Sequence, residues 1–133
     1  MPGNIDLFRA IIERGFNIGD LSVADEVCAD RVVEHQYLTP TNLSGPEILK
    51  TQIRNARLEV TDLRLVIEEV VEAGEKVWAR MKATGKARNG KNVAMHVFDV
   101  CRFENGKLVE HWGVPDRFAL LHQAGLIPSR PVS

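Results

Sequence analysis

The chain has 133 residues, a formal net charge of −1, and 44% hydrophobic and 26% charged residues. That size and composition suit one globular domain over residues 1–133, and near-neutrality gives no reason to expect nucleic acid or an anionic membrane surface as partner. The two cysteines, Cys28 and Cys101, form no CxxC pair and no even framework, so reduced, unpaired thiols are expected. The first residues lack a basic region followed by an apolar one, and no apolar run is long enough to span a bilayer. The expected location is cytoplasmic, away from membranes.

Ile5, Phe8, Ile12 and Phe16 recur at helical spacing, with Asn4 as a candidate cap and Asp6 at the positive end of the helix dipole. Gly15 and Gly19 break this first helix, and a shorter one follows from about Ser22. Residues 31–38 read as a brief strand ending before Pro40. Ser44, Pro46 and Glu47 form a strong helix start, a capping hydroxyl with an early proline and a glutamate three residues on. That helix runs to about Arg57 and buries Leu49, Ile53 and Ala56. From Asp62 the apolar period becomes two. Residues 63–71 and 76–86 are strands joined at Ala73-Gly74, Arg88-Asn89-Gly90 makes the next turn, and a second hairpin completes a four-stranded meander. A terminal helix over 116–124 is stopped by Gly125 and Pro128, and residues 129–133 form a loose tail. Helices first and strands second is an α+β layout with helices on one sheet face. The other face carries Phe98, Val100 and Val109, which favours pairing with a second copy of the chain.

The chemistry concentrates in residues 95–116, where two alternating runs flank Asn105-Gly106, a dipeptide suited to a tight hairpin turn. If the turn has two residues, the numbers of facing residues sum to 211, which sets Asp99 opposite Trp112 and Cys101 opposite Glu110. Met95, Val97, Asp99, Cys101, Phe103, Leu108, Glu110, Trp112 and Val114 then share one face. His96, Phe98, Val100, Arg102, Val109 and His111 share the other. A mostly apolar face that carries two carboxylates and an indole suits a small-molecule pocket.

The order of these motifs resembles a known family. Its landmarks here are Asn17 to Leu21, Glu34-His35, Gly45-Pro46-Glu47, Phe98-Asp99-Val100, the run from Arg102 to Trp112, Asp116, and Leu120-Leu121. Together they look like the SnoaL-like branch of the NTF2-like superfamily, which includes polyketide ester cyclases. The resemblance implies a cone-shaped α+β barrel, with N-terminal helices packed on a curved, mainly antiparallel sheet of four to six strands. It also implies a homodimer through the sheets and a pocket for a hydrophobic small molecule. The activity implied is ring closure by intramolecular aldol condensation, with no cofactor and no metal, in which a carboxyl group assisted by a histidine moves the proton. Burial in an apolar pocket raises such a carboxyl group toward its working range. Glu110 and Asp99 are the acid/base candidates. His96 with Glu110 matches the family's histidine–carboxylate spacing, which requires a β-bulge between them, and His35 looks into the pocket mouth. Trp112, Tyr37, Met95, Val97, Phe16 and Trp78 are the substrate-binding candidates, Trp78 being read with Met81 first as packing. Two features depart from the family pattern: a loop shortened to residues 85–92, and Glu rather than Asp at position 110.

Each of these residues also has a plainer reading. Glu110 and Asp99 suit structural hydrogen bonding equally well, His96 and His111 suit an exposed or interface position better, and the basic run Lys82, Lys86, Arg88 and Lys91 suits a solvated tip. No metal-ligand spacing, nucleophile elbow, phosphate loop or dinucleotide fingerprint is present. Three classes follow: a cofactor-free enzyme on a hydrophobic small molecule, a binding protein without turnover, and a dimeric interaction module. Within the first, the resemblance also admits isomerisation or epoxide hydrolysis, and the latter would need an arginine beside an aspartate, for which the sequence offers Arg80 and Asp99.

Overall fold

A computed structural model describes residues 2–128. The tail expected to be loose, 129–133, lies outside the described residues. Helix α1 (Asn4–Ala10) continues as a π-helical turn, Ile11–Phe16. Gly3, not Asn4, precedes the helix, and its N–H donates to Asp6 Oδ2 at 3.1 Å. After α2 (Ser22–Val27) come strand β1 (Cys28–Glu34) and helix α3 (Gly45–Glu59), which the Ser44 hydroxyl caps by accepting from the Glu47 N–H. Strands β2 (Val60–Ala73), β3 (Lys76–Ala87), β4 (Asn92–Glu104) and β5 (Lys107–Pro115) form the meander, and α4 (Arg117–Gln123) is capped by Asp116.

The sheet has five strands in the order β1-β5-β4-β3-β2. All neighbours are antiparallel except β1 and β5, a parallel edge pair that the meander alone does not announce. On β3, Val77, Ala79, Met81 and Ala83 alternate inward, and β4 continues that face with Met95, Val97, Asp99 and Cys101 opposite them. Helices cover this face over a core that includes Phe8, Ile12, Val23, Ile53, Val77 and Met81, each nearly or fully buried. The Asn17 amide ties the end of the first helix to β2 by exchanging hydrogen bonds with the Leu65 backbone at 2.7 and 3.0 Å. The Gln123 amide does the same for α4 at Ala94, at 2.7 and 2.8 Å.

The hairpin register departs from the simple one. Asn105 and Gly106 both take positive φ, 50° and 74°, as a type I′ turn requires. Glu104↔Lys107 and Phe103↔Leu108 keep the sum of 211, but Arg102 pairs with Glu110, Cys101 with His111, Val100 with Trp112 and Asp99 with Gly113. Val109 is therefore the extra residue of a β-bulge, and every β5 side chain beyond it changes face. Glu110 and Trp112 turn to the outer face with Arg102 and Val100, and His111 turns inward. The outer face leaves Trp78, Phe98 and Val114 exposed, so Trp78 is not packed in the core, whereas Met81 is.

Candidate active site

The helices and the concave face of the sheet enclose a cavity of about 610 Å³, open at one side. Met95, Val97 and Phe16 line its walls. Tyr37 and His35 stand at its rim on the segment after β1. Among its polar groups, one cluster stands out.

His111, inward because of the bulge, lies between two carboxylates. Its Nδ1 meets Glu34 Oε2 at 2.8 Å and Oε1 at 2.9 Å, and its Nε2 meets Asp99 Oδ1 at 3.1 Å. The parallel pairing of β1 with β5 puts Glu34 beside His111, and the β4–β5 ladder puts Asp99 two pairs further along, on the same face. The smallest side chains flank Asp99 across both strands, Ala79 on β3 and Gly113 on β5, so its carboxylate stays unobstructed at the cavity wall. Glu34 is only 2% exposed and also accepts from the Gln52 amide at 2.8 Å and from the Gln36 N–H at 2.9 Å.

The electrostatics follow from this geometry. Burial opposes a charge on the His111 ring, but the two carboxylates outweigh it and push the imidazole up to about 10. Burial likewise works against the Glu34 charge, yet the His111 contact and the backbone and amide donors hold it below the usual carboxylate range. At neutral pH His111 is therefore held as an imidazolium between the two side chains. Both ring nitrogens are occupied as donors, which leaves no lone pair for a metal, and among the described residues no group of three or more His, Cys, Asp or Glu is arranged to hold one. Cys101 lies in the cavity wall and Cys28 is buried nearby on β1. Both are unpaired, and burial pushes the Cys28 thiol up to about 12 and the Cys101 thiol well above its ordinary range. Such thiols are poor nucleophiles.

The other candidates from the sequence lie elsewhere. Glu110 does not face the cavity: its Oε2 contacts His35 Nε2 at 2.8 Å and its Oε1 accepts from Arg102 Nε at 2.8 Å on the outer face. The His35 bond and then Arg102 hold its carboxyl below the usual range, the opposite of a raised general acid. Trp112 is not a cavity wall. It stacks on the His35 ring at 4.7 Å, with Lys76 Nζ 5.2 Å from its centroid. The bulge does bring His96 and Glu110 to one face, as their spacing required, but it is the outer face, where His96 Nδ1 lies 3.8 Å from Glu68. Arg80, also outside, is held by Glu68 and Glu69 and does not meet Asp99. Glu34, Gln36, Gln52, His111 and Gly113 were not singled out from the sequence as site residues. The signal that could have found them is the cross-strand pairing of Arg102 with Glu110, which the shifted register satisfies and the simple one breaks.

Helices packed on one face of an open, five-stranded mixed sheet, rather than the closed cone-shaped barrel expected, make an α+β fold of the NTF2-like type. The family model described as SnoaL-like polyketide cyclase matches residues 6–124, and the chain belongs to that family. Among solved structures, a candidate polyketide cyclase from Bacillus cereus is similar, with 27% identity, a TM-score of 0.77, and coverage of 93% of this chain and 79% of that one. TsrD from Streptomyces laurentii has 22% identity, a TM-score of 0.79 and coverage of 96% and 100%. IdmH, a candidate polyketide cyclase from Streptomyces antibioticus, has 24% identity, a TM-score of 0.78 and coverage of 91% and 97%. No curated protein sequence matches the chain. Among the described residues no helix is long and apolar enough to cross a membrane.

Proposed function

We propose that the protein is a cofactor-free acid/base enzyme on a hydrophobic carbonyl compound, of the aldol-cyclisation type that its family name suggests. One observation carries this: the Glu34–His111–Asp99 array on the wall of an otherwise largely apolar cavity. Asp99 is the acid/base. Its Oδ1 accepts from His111, and its second oxygen is free to take a proton from a carbon next to a carbonyl. His111 holds the Asp99 carboxylate oriented and stabilises its charge, and Glu34 holds the ring. The proton then goes from Asp99 to the alkoxide formed as the ring closes, which restores the carboxylate.

Exchange of the acidic carbon-bound protons of benzoylacetone in deuterium oxide, followed by NMR, tests this reading without the natural substrate. Wild type should accelerate exchange, and Asp99→Asn should lose about 10²–10⁴ of that rate. Equal rates for the two proteins would remove Asp99 from this role and leave a binding protein without turnover as the better reading.

The quaternary proposal is a homodimer through the outer sheet face, where Trp78, Phe98 and Val114 are exposed and Val100 lies among them. His111, expected near that interface from the simple register, is instead in the cavity. Val100→Glu should dissociate the dimer in sedimentation while leaving the helical circular dichroism intact. Wild type sedimenting as a monomer at micromolar concentration would sink the proposal.

A further inference from the structure

The hydrogen-bond donors around Asp99 are almost all committed. Both ring nitrogens of His111 are taken by carboxylates, and the Gln52 amide is shared between Glu34 and Thr39. An enolate formed by loss of a carbon-bound proton needs a donor at its oxygen, and none of these can supply one without breaking the array. The side-chain amide of Gln36, which lines the cavity and borders the same space beside Gly113 as Asp99, makes no hydrogen bond within the described residues.

Its placement is specific. A Cβ on Gly113 would overlap Gln36 Oε1 and stand 2.9 Å from both Asp99 Oδ1 and His111 Cε1. The three groups therefore converge on the space that residue 113 leaves empty. It is the amide oxygen of Gln36 that rests against Gly113, so the Nε2 hydrogens are the end left for a ligand. The backbone fixes this arrangement from below, because the Gln36 N–H donates to Glu34 Oε2, the same carboxylate that holds His111.

We infer that Gln36 is a further catalytic residue, whose side-chain amide donates to the substrate oxygen that becomes negative when Asp99 takes a proton from the adjoining carbon. This rests on the proton-transfer reading. The C–H bond breaks, its proton goes to a carboxylate oxygen of Asp99, and its electron pair passes through the carbonyl to form the enolate oxygen that Gln36 binds. Protonated Asp99 later returns the proton. An amide suits the task because it donates without adding a charge that would compete with His111 for Asp99. A donor aimed at a developing oxyanion is typically worth about 10²–10³ in rate. Gly113 is the positioning residue: a methyl group there would drive Gln36 out of reach.

Two measurements on the full chain test this. In the first, benzoylacetone exchange by Gln36→Leu should fall about 10-fold or more in kcat with little change in KM, the pattern of a donor engaged only as charge develops. In the second, para-nitrophenol is titrated while bound to Asp99→Asn, where no carboxylate at position 99 opposes its anion. Adding Gln36→Leu to that protein should raise the pKa of the bound phenol, because the phenolate loses its donor. If Asp99→Asn abolishes exchange while Gln36→Leu leaves both exchange and the phenol pKa unchanged, the inference is overturned and the acid/base reading stands. If Asp99→Asn exchanges like wild type but Gln36→Leu still shifts the phenol, the anion-binding role of Gln36 is upheld and the acid/base reading falls.

Discussion

Strand β5 carries two histidine–carboxylate clusters back to back, and they share their chemistry but not their surroundings. On the inner face, His111 and Glu34 meet at 2.8 Å with side chains 12% and 2% exposed. On the outer face, His35 and Glu110 meet at the same 2.8 Å, with the histidine 39% exposed and Arg102 close by. The inner imidazole is pushed up to about 10 by carboxylates it cannot escape, while outside it is the carboxylate that is depressed, by donors at the edge of solvent. Contact distance alone says nothing about which pair can do chemistry. Burial and the number of opposite charges around each group decide it. A single bulged residue, Val109, decides which of Glu110 and His111 belongs to which cluster.

The largest expected contrast is in stability. Glu34→Ala removes one partner of a buried ion pair, leaves the Gln36 N–H without its acceptor and leaves Gln52 only its longer contact to Thr39, which should cost about 3–5 kcal/mol in urea unfolding. A loss well under 1 kcal/mol would mean that Glu34 is solvated in solution and that the two clusters are equivalent.

The pH dependence sharpens the same contrast. The folded-state pKa of His111 is raised to about 10, above the ordinary imidazole value of about 6.5. The stability it contributes is therefore fully present below pH ~6.5 and is lost as pH rises through 10, with a slope approaching ~1.4 kcal/mol per pH unit between those limits. Glu34, with a depressed value, works in the other direction: its contribution is present above the ordinary carboxylate range and is lost as acid titrates the folded protein below it. Unfolding midpoints of wild type should accordingly fall between pH 7 and 10, and His111→Gln, though less stable throughout, should lack that fall. An identical slope in the variant would mean that His111 is not the protonated group.

Most of the architecture was legible because local chemistry and global fold agree. Ser44 and Asp116 cap helices, Asn105-Gly106 turns the hairpin, and the period of two on β3 gives a clean inner row. Asp99, Met95 and Val97 were placed correctly because β4 is unbulged up to Arg102. The rest failed at one point and then propagated. Alternation cannot reveal a bulge when the extra residue is a valine that suits either face, and a one-residue slip reverses every side chain after it. Glu34 escaped notice for a different reason. Its role depends on a parallel edge pairing between segments 77 residues apart, and no local pattern encodes that contact. Glu110 and Trp112 resembled site residues in composition and spacing, and only the register separates them from the site.

The smallest expected effect is the most telling control on the comparison. Glu110 has a depressed folded-state pKa, set first by His35 and then by Arg102. Its contribution to stability is present above its unfolded value and is lost only as pH falls below the ordinary carboxylate range. Between pH 5 and 8 it is mainly ionised in both folded and unfolded chains, so it adds little pH dependence there. Glu110→Gln keeps the size of the side chain and an oxygen for Arg102. Its melting curve should therefore run parallel to that of wild type across pH 5–8, and benzoylacetone exchange should be unchanged while Asp99→Asn abolishes it. Melting curves that converge or cross in this range would place an abnormal titration at Glu110. Loss of exchange in the same variant would move the acid/base site to the outer face and reverse the roles assigned to the two clusters.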